Sequence, residues 1–295
     1  MMDSILLSVT DLDDGDVDRI LRRAEALSRS DRLDRPLPHK VVALLFLETS
    51  LRTRVGFAVA ASRLGWQPVE VHERRQSPTS MTESFEDTLR TVSGFVDVLV
   101  SRPGRPLDRV TVEENVVSAF INGGDTGPRA EHPTQALVDI YAMEKALGPV
   151  SDLRIAICGD PRMRAVRSLL QLFARRRPSW LSIIASASHL EADCIPEPLA
   201  AISDHRALSE LDDIDVLYVA GIPHASLPLQ EREGLIVTAK TISKLPPSSI
   251  VLSPLPIIDE IDEVAQRDGR MRMFWQSDQG VFVRMALLEE ILAAR

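Results

Sequence analysis

Glu48-Thr49-Ser50-Leu51-Arg52-Thr53-Arg54-Val55-Gly56-Phe57 follows an unbroken apolar run, Val41 to Leu47. A short apolar run of this kind reads as a strand buried on both faces, as strands are in parallel sheets. From Val55 onward the apolar positions Val55, Ala58, Val59, Ala61 and Leu64 fall near helical spacing, so the quoted residues form a strand-to-helix turn. At such a turn the first N–H groups of the helix lack backbone partners, and the helix dipole favours an anion. Ser50, Arg52, Thr53 and Arg54 crowd this end, where the dipole disfavours positive charge unless an anion is present. The turn is read as a phosphate site. The plainer alternative makes Ser50 an ordinary helix cap and the arginines surface charges.

Outward from this turn the chain alternates strands with helices. Asp14 to Ser28 is an amphipathic helix with Val17, Ile20, Leu21, Ala24 and Leu27 on one face. After the turn come a short strand at Val69 to Val71, a loop from Glu73 to Thr82, a helix from Glu83 to Phe95, and strands at Val96 to Ser101 and Val116 to Ile121. A long helix, His132 to Leu147, leads into a second alternating series: strands at Leu153 to Cys158, Leu181 to Ala185, Val216 to Val219 and Ile250 to Leu252, with a helix from Met163 to Arg175. The pattern predicts an α/β protein of two doubly wound parallel-sheet domains joined by long helices. Gly159-Asp160-Pro161 resembles a dinucleotide turn but lacks the Gly-x-Gly-x-x-Gly spacing, so nicotinamide binding is discounted.

Further segments carry a resemblance. Ser50-Leu51-Arg52-Thr53-Arg54 resembles the Ser-Thr-Arg-Thr-Arg phosphate loop of the aspartate and ornithine carbamoyltransferases, with Leu51 for the first Thr. His132-Pro133-Thr134-Gln135-Ala136-Leu137-Val138-Asp139 resembles that family's second signature. Asn122-Gly123-Gly124-Asp125, Gly159-Asp160, Ser253-Pro254-Leu255-Pro256 and Asp278 to Leu288 follow the family order and lean to its aspartate branch. The resemblance implies a carbamoyl phosphate-binding domain over residues 1–133, with the C-terminal helix 280–295 packing back on it, and an acceptor-binding domain over residues 134–279. It also implies a homotrimer in which a mobile loop, here holding Ser77, completes a neighbouring chain's site.

By the same resemblance, Ser50, Leu51, Arg52, Thr53 and Ser77 hold the phosphate, and Arg102 reaches phosphate and carbonyl oxygen. Arg102 follows a strand, at the edge where open α/β sheets bind ligands; the alternative is a solvated surface arginine. His132 donates to the carbonyl oxygen, as stabilising an oxyanion requires. Gln135, with the backbone carbonyls of Pro254 and Leu255, fixes the carbamoyl amide, and Arg164 grips the acceptor α-carboxylate. Carbamoyl transfer needs positioning and electrostatics but no covalent intermediate, so no cofactor or metal is expected. The sequence departs from the family where Gly221-Ile222-Pro223 replaces an Arg-x-Gln for the acceptor side chain, where Met81 replaces a loop lysine near Arg74 and Arg75, and where Ser253 and Ile257 replace the His and Arg of His-Pro-Leu-Pro-Arg. The ornithine-branch acceptor signatures are absent.

The departures predict an aspartate carbamoyltransferase-like enzyme acting on carbamoyl phosphate and an amino-acid-like acceptor through an altered acceptor pocket. An authentic aspartate carbamoyltransferase of pyrimidine biosynthesis and a catalytically silent, partner-binding member are the alternatives. Composition bounds the rest. The net charge of −9 over 295 residues argues against a nucleic-acid surface and implies that arginines for an anionic substrate are concentrated locally. No apolar run approaches a membrane span, and Met1 to Leu12 lacks the basic start of a signal peptide. Cys158 and Cys194 have no metal-like spacing, so a reduced, cytoplasmic location is expected.

Overall fold

The fold was analysed in a computed structural model that describes residues 3–29, 38–71, 83–190, 194–204, 206–223 and 227–294. In chain order the elements are β1 (Ile5–Leu6), α1 (Asp14–Arg29), β2 (Val41–Phe46), α2 (Leu51–Arg63), β3 (Gln67–Val71), α3 (Phe85–Ser93), β4 (Val98–Arg102), α4 (Arg109–Asn115), β5 (Ala119–Asn122), α5 (Pro133–Leu147), β6 (Arg154–Cys158), α6 (Arg164–Phe173), β7 (Trp180–Ile184), α7 (Glu197–Ala200), β8 (Ser203–Asp204), β9 (Val216–Val219), α8 (Leu229–Glu233), α9 (Ala239–Lys244), β10 (Ile250–Leu252) and α10 (Met273–Ala293). They form two compact units, Met1–Leu137 with Gln279–Arg295, and Val138–Asp278. The fold class predicted from alternation is the one observed: each unit holds a five-stranded, all-parallel sheet.

In the first unit the strand order is β1-β5-β4-β2-β3. The chain leaves β2 toward β3 on one side and returns to place β4 on the other, so the loops after β2 and β4 diverge and open a crevice at the carboxyl edge. Phe46 pairs with Arg102 in register, which puts that arginine at the strand end beside the β2–α2 turn. The core below is made by Ala43, Leu45, Leu89, Leu99, Val112 and Phe120, all buried. In the second unit the order is β10-β9-β6-β7-β8, and the same reversal falls between β6 and β9. Gly159, just after β6, has φ +128, and a Cβ there would lie 2.5 Å from the Ala220 carbonyl oxygen. Only glycine fits that approach between neighbouring strand ends.

Several elements differ from the sequence reading. The last helix begins at Met273, a full two turns before the expected Gly280, because Trp275 and Gln276 already take helical geometry. The strands β1 and β8 and the helices α4, α7, α8 and α9 were not anticipated; each spans two to seven residues, too short for a hydrophobic period to register. The loop expected at Glu73 to Thr82 falls outside the described residues.

Candidate active site

Ser50 is the N-cap residue of α2, yet its side chain makes no capping hydrogen bond. Its hydroxyl lies instead 3.5 Å from Arg102 Nη1, so the plain capping alternative does not hold. No acidic residue stands in the first turn of this helix. Arg52, half-buried one residue into α2, has its pKa lowered by burial, with no offsetting carboxylate among the described residues. A half-buried cation without a compensating charge at the positive end of a helix dipole is an arrangement that an anion completes. Leu51 is 67% exposed, so it offers the turn its backbone rather than its side chain.

Arg102 is buried, which removes the surface-arginine alternative. Its Nε donates to Glu48 Oε2 at 2.9 Å. His132, also buried, is contacted at both nitrogens by hydroxyls: Thr53 Oγ1 is 3.2 Å from Nε2 and Thr134 Oγ1 is 3.2 Å from Nδ1. Gly124 brings the two together. Its φ is +105, and a Cβ there would stand 3.0 Å from His132 Cδ2 and 3.3 Å from Arg102 Nη1. The loop carrying it is tied down by Asn122, whose Oδ1 accepts from Gly124 N at 2.8 Å and whose Nδ2 donates to Leu7 O at 2.9 Å. Gln135 is half-buried in the first turn of α5, its N–H donating to His132 O at 3.0 Å. At the carboxyl edge of one sheet, Ser50 therefore meets Arg102 and Thr53 meets His132, with Gly124 lying against both Arg102 and His132. Ser77 lies outside the described residues, as do Arg74, Arg75 and Met81.

In the second unit Arg164 opens α6, half-buried, behind the β6 strand end. Asp160 beside it is clamped by Arg162 through two contacts of 2.9 Å. Pro254 and Leu255 follow β10, and Leu255 holds φ +56, left-handed backbone unusual for a non-glycine residue. At the position of the missing acceptor arginine, a Cβ on Gly221 would lie 3.7 Å from Glu260 Oε1. Glu260 is buried and accepts from the N–H groups of Ile222, Ile258 and Asp259 at 3.2, 2.8 and 3.2 Å. Sequence reasoning assigned no role to Glu48, Gly124, Thr134 or Glu260. Glu48 and Thr134 sit two residues from Ser50 and His132, the one available signal, whereas Glu260 had none.

The chain is similar over nearly its whole length to known proteins. The aspartate/ornithine carbamoyltransferase, carbamoyl-P binding domain matches residues 5–145. The aspartate carbamoyltransferase catalytic subunit of Archaeoglobus fulgidus is 35% identical, over 97% of this chain and 98% of that protein. The crystal structure of aspartate transcarbamoylase from Trypanosoma cruzi with carbamoyl aspartate and phosphate superposes with a TM-score of 0.88 at 28% identity, over 97% of this chain and 95% of that one. A structure of the same enzyme with N-(phosphonacetyl)-L-aspartic acid gives a TM-score of 0.81 at 28% identity, covering 97% and 96%. The chain belongs to the aspartate/ornithine carbamoyltransferase family, and it is a carbamoyltransferase. Within that family its likeness is to the aspartate carbamoyltransferases.

Proposed function

We propose that the protein transfers the carbamoyl group of carbamoyl phosphate to the α-amino group of aspartate, giving carbamoyl aspartate and phosphate. The observation that carries the donor half is Arg52, without a compensating charge among the described residues, at a helix start whose cap hydroxyl is turned toward Arg102. Aspartate as acceptor draws support from the full-length likeness to aspartate carbamoyltransferases. It displaces the altered acceptor pocket expected from the sequence as the leading reading.

In this reading residues 1–133 with helix 280–295 bind carbamoyl phosphate and residues 134–279 bind the acceptor. Ser50, Leu51 N–H, Arg52 and Thr53 take the phosphate, with Ser77 of a neighbouring chain in a homotrimer. The amine nitrogen bonds to the carbonyl carbon, and negative charge collects on the carbonyl oxygen. With Thr134 donating to Nδ1, His132 presents Nε2–H to that oxygen, and Arg102 adds its charge. Collapse breaks the bond between the carbonyl carbon and the phosphate oxygen while the proton shed by the new C–N nitrogen passes to the departing phosphate, which leaves as the hydrogen phosphate dianion neutralised by Arg52 and Arg102. Gln135 and the carbonyls of Pro254 and Leu255 select the carbamoyl amide; Arg164 holds the α-carboxylate.

A second reading retains the carbamoyl phosphate half-site but takes an acceptor without a second carboxylate. It is favoured by Gly221, which has no guanidinium, and by the buried Glu260 carboxylate that a side chain there would face. Titration calorimetry with N-(phosphonacetyl)-L-aspartic acid, against carbamoyl phosphate alone, separates the two. Far tighter binding of the analogue supports aspartate. If the aspartate portion adds nothing, aspartate is ruled out and other amines are screened by phosphate release; no acceptor-dependent release with any amine removes transfer itself.

A further inference from the structure

A cavity of about 420 Å³ opens at the amino edge of the second sheet. Ile250, the first residue of β10, helps to line it, whereas Pro254 and Leu255 follow the other end of that strand. The remaining wall comes from the end of α5 (Leu147), the approach to β10 (Ser248), the segment before α10 (Arg270 and Arg272) and the first turn of that helix (Trp275). All of these residues belong to the second unit, and none is used in the reaction described above. The volume is that of a small-molecule site.

The polar side chains on the wall are two arginines, one tryptophan and two serines, with no carboxylate or side-chain amide among them. Carboxylates outnumber lysines and arginines 43 to 34 in the whole chain, so two guanidinia around one cavity without an acid run against its average charge. Arg270 is fixed in place: Nε and Nη2 donate to Asp268 at 2.8 and 2.9 Å, and Nη1 donates to Leu245 O at 2.8 Å. Those bonds use three of its five N–H groups and leave two to spare. The Arg272 guanidinium is exposed and has no partner among the described residues. The same holds for the Ser248 hydroxyl and for the indole N–H of the half-buried Trp275, whereas the Ser249 hydroxyl is spent on Ile214 O at 2.6 Å.

Such a wall offers donors and positive charge to an anion, and the Trp275 ring with Leu147 and Ile250 to a flat apolar body. One feature of the wall opposes this. Leu147 ends α5, and the carbonyl end of a helix disfavours an anion by a few-fold in affinity. A charge-assisted hydrogen bond to one guanidinium favours it by roughly ten- to a hundredfold, so the arginines prevail. The guanidinium fork matches a planar carboxylate in particular.

We propose that this cavity binds an aromatic carboxylate of one or two rings, with its carboxylate on Arg272 and Arg270 and its ring against Trp275 and Leu147. The site shares no residue with the carbamoyl phosphate reading and does not depend on it.

The test is titration calorimetry of the full chain with 1-naphthoate and with its neutral counterpart 1-naphthamide, each with and without saturating inorganic phosphate. One naphthoate per chain is expected, with a Kd of about 1 mM or tighter, the scale for a ligand of this size, and phosphate does not displace it. Naphthamide binds about tenfold more weakly, and Arg272→Gln weakens naphthoate about tenfold. Trp275→Leu weakens it about three- to tenfold, while Trp275→Phe, which keeps a ring, stays within about threefold of wild type. Arg267→Gln, at an exposed arginine off the wall, leaves the constant within about twofold. The proposal is overturned by no saturable binding up to about 10 mM, by naphthamide binding as tightly as naphthoate, or by equal losses in Arg267→Gln and Arg272→Gln. Displacement by phosphate overturns it too, since that places the probe at the β2–α2 turn.

Discussion

Gly124 shows how narrowly the candidate site is set at the scale of one residue. Its φ of +105 is poorly tolerated by an L side chain, and the missing Cβ leaves the space where His132 Cδ2 and Arg102 Nη1 meet. Gly124→Ala pushes the imidazole from its two threonine hydroxyls. We expect kcat/KM for phosphate release to fall roughly a hundredfold, the scale of a 1 Å misplacement, with a stability loss of about 1–3 kcal/mol in thermal melts. Asp268 offers a different test. The Arg270 guanidinium, bonded to it through Nε and Nη2, and then the Arg270 backbone N–H lower its pKa to about 2 from the ordinary 3.8. A depressed carboxylate adds stability above its unfolded pKa and loses it as pH falls through the folded one. Asp268→Asn is therefore expected to lower the melting temperature against wild type at pH 6, and the gap to shrink as both are moved from pH 4 toward pH 2. A gap that does not change with pH excludes the ion pair as its source.

At the scale of elements, two helices of the first unit begin with cap residues put to different uses. Asp108 caps the seven-residue α4 conventionally, accepting from Thr111 N at 2.8 Å and from Thr111 Oγ1 at 2.6 Å. Asp108→Ala should cost about 1 kcal/mol in urea unfolding and leave phosphate affinity unchanged. Ser50 opens α2 with no capping bond. Ser50→Ala should therefore cost less than about 0.5 kcal/mol, below the usual cap penalty, while weakening phosphate binding roughly three- to tenfold. If Ser50→Ala loses stability as Asp108→Ala does and binds phosphate normally, Ser50 is a cap after all. Ser and Asp are both preferred cap residues, but which hydroxyl or carboxylate turns back on its own helix depends on what stands opposite. For Ser50 that is Arg102, fifty-two residues away.

At the scale of the whole molecule, the homotrimer implied by family resemblance is tested by sedimentation equilibrium: a mass near three times 32.7 kDa is expected, and a monomer would leave Ser77 no neighbouring site to complete. The sequence by itself determined the fold class, because buried parallel strands are apolar runs and amphipathic helices repeat near every 3.6 residues, and both patterns are local. It also nominated the donor half of the candidate site, since Ser50, Arg52, Thr53, His132 and Gln135 fall in two short contiguous segments beside strand and helix starts. What tertiary structure decided is everything that depends on strand order. Arg102 meets Ser50 and Glu48 because β4 returns beside β2, and Gly124 separates Arg102 from His132 because β5 follows beside β4. Likewise Asp139, Gln276 and Ser253 meet only where α5, α10 and the β10 loop converge. Such contacts join residues dozens to more than a hundred positions apart, and no local periodicity encodes them. They arise when burial of the apolar faces brings the elements together and each buried polar group must then find a partner.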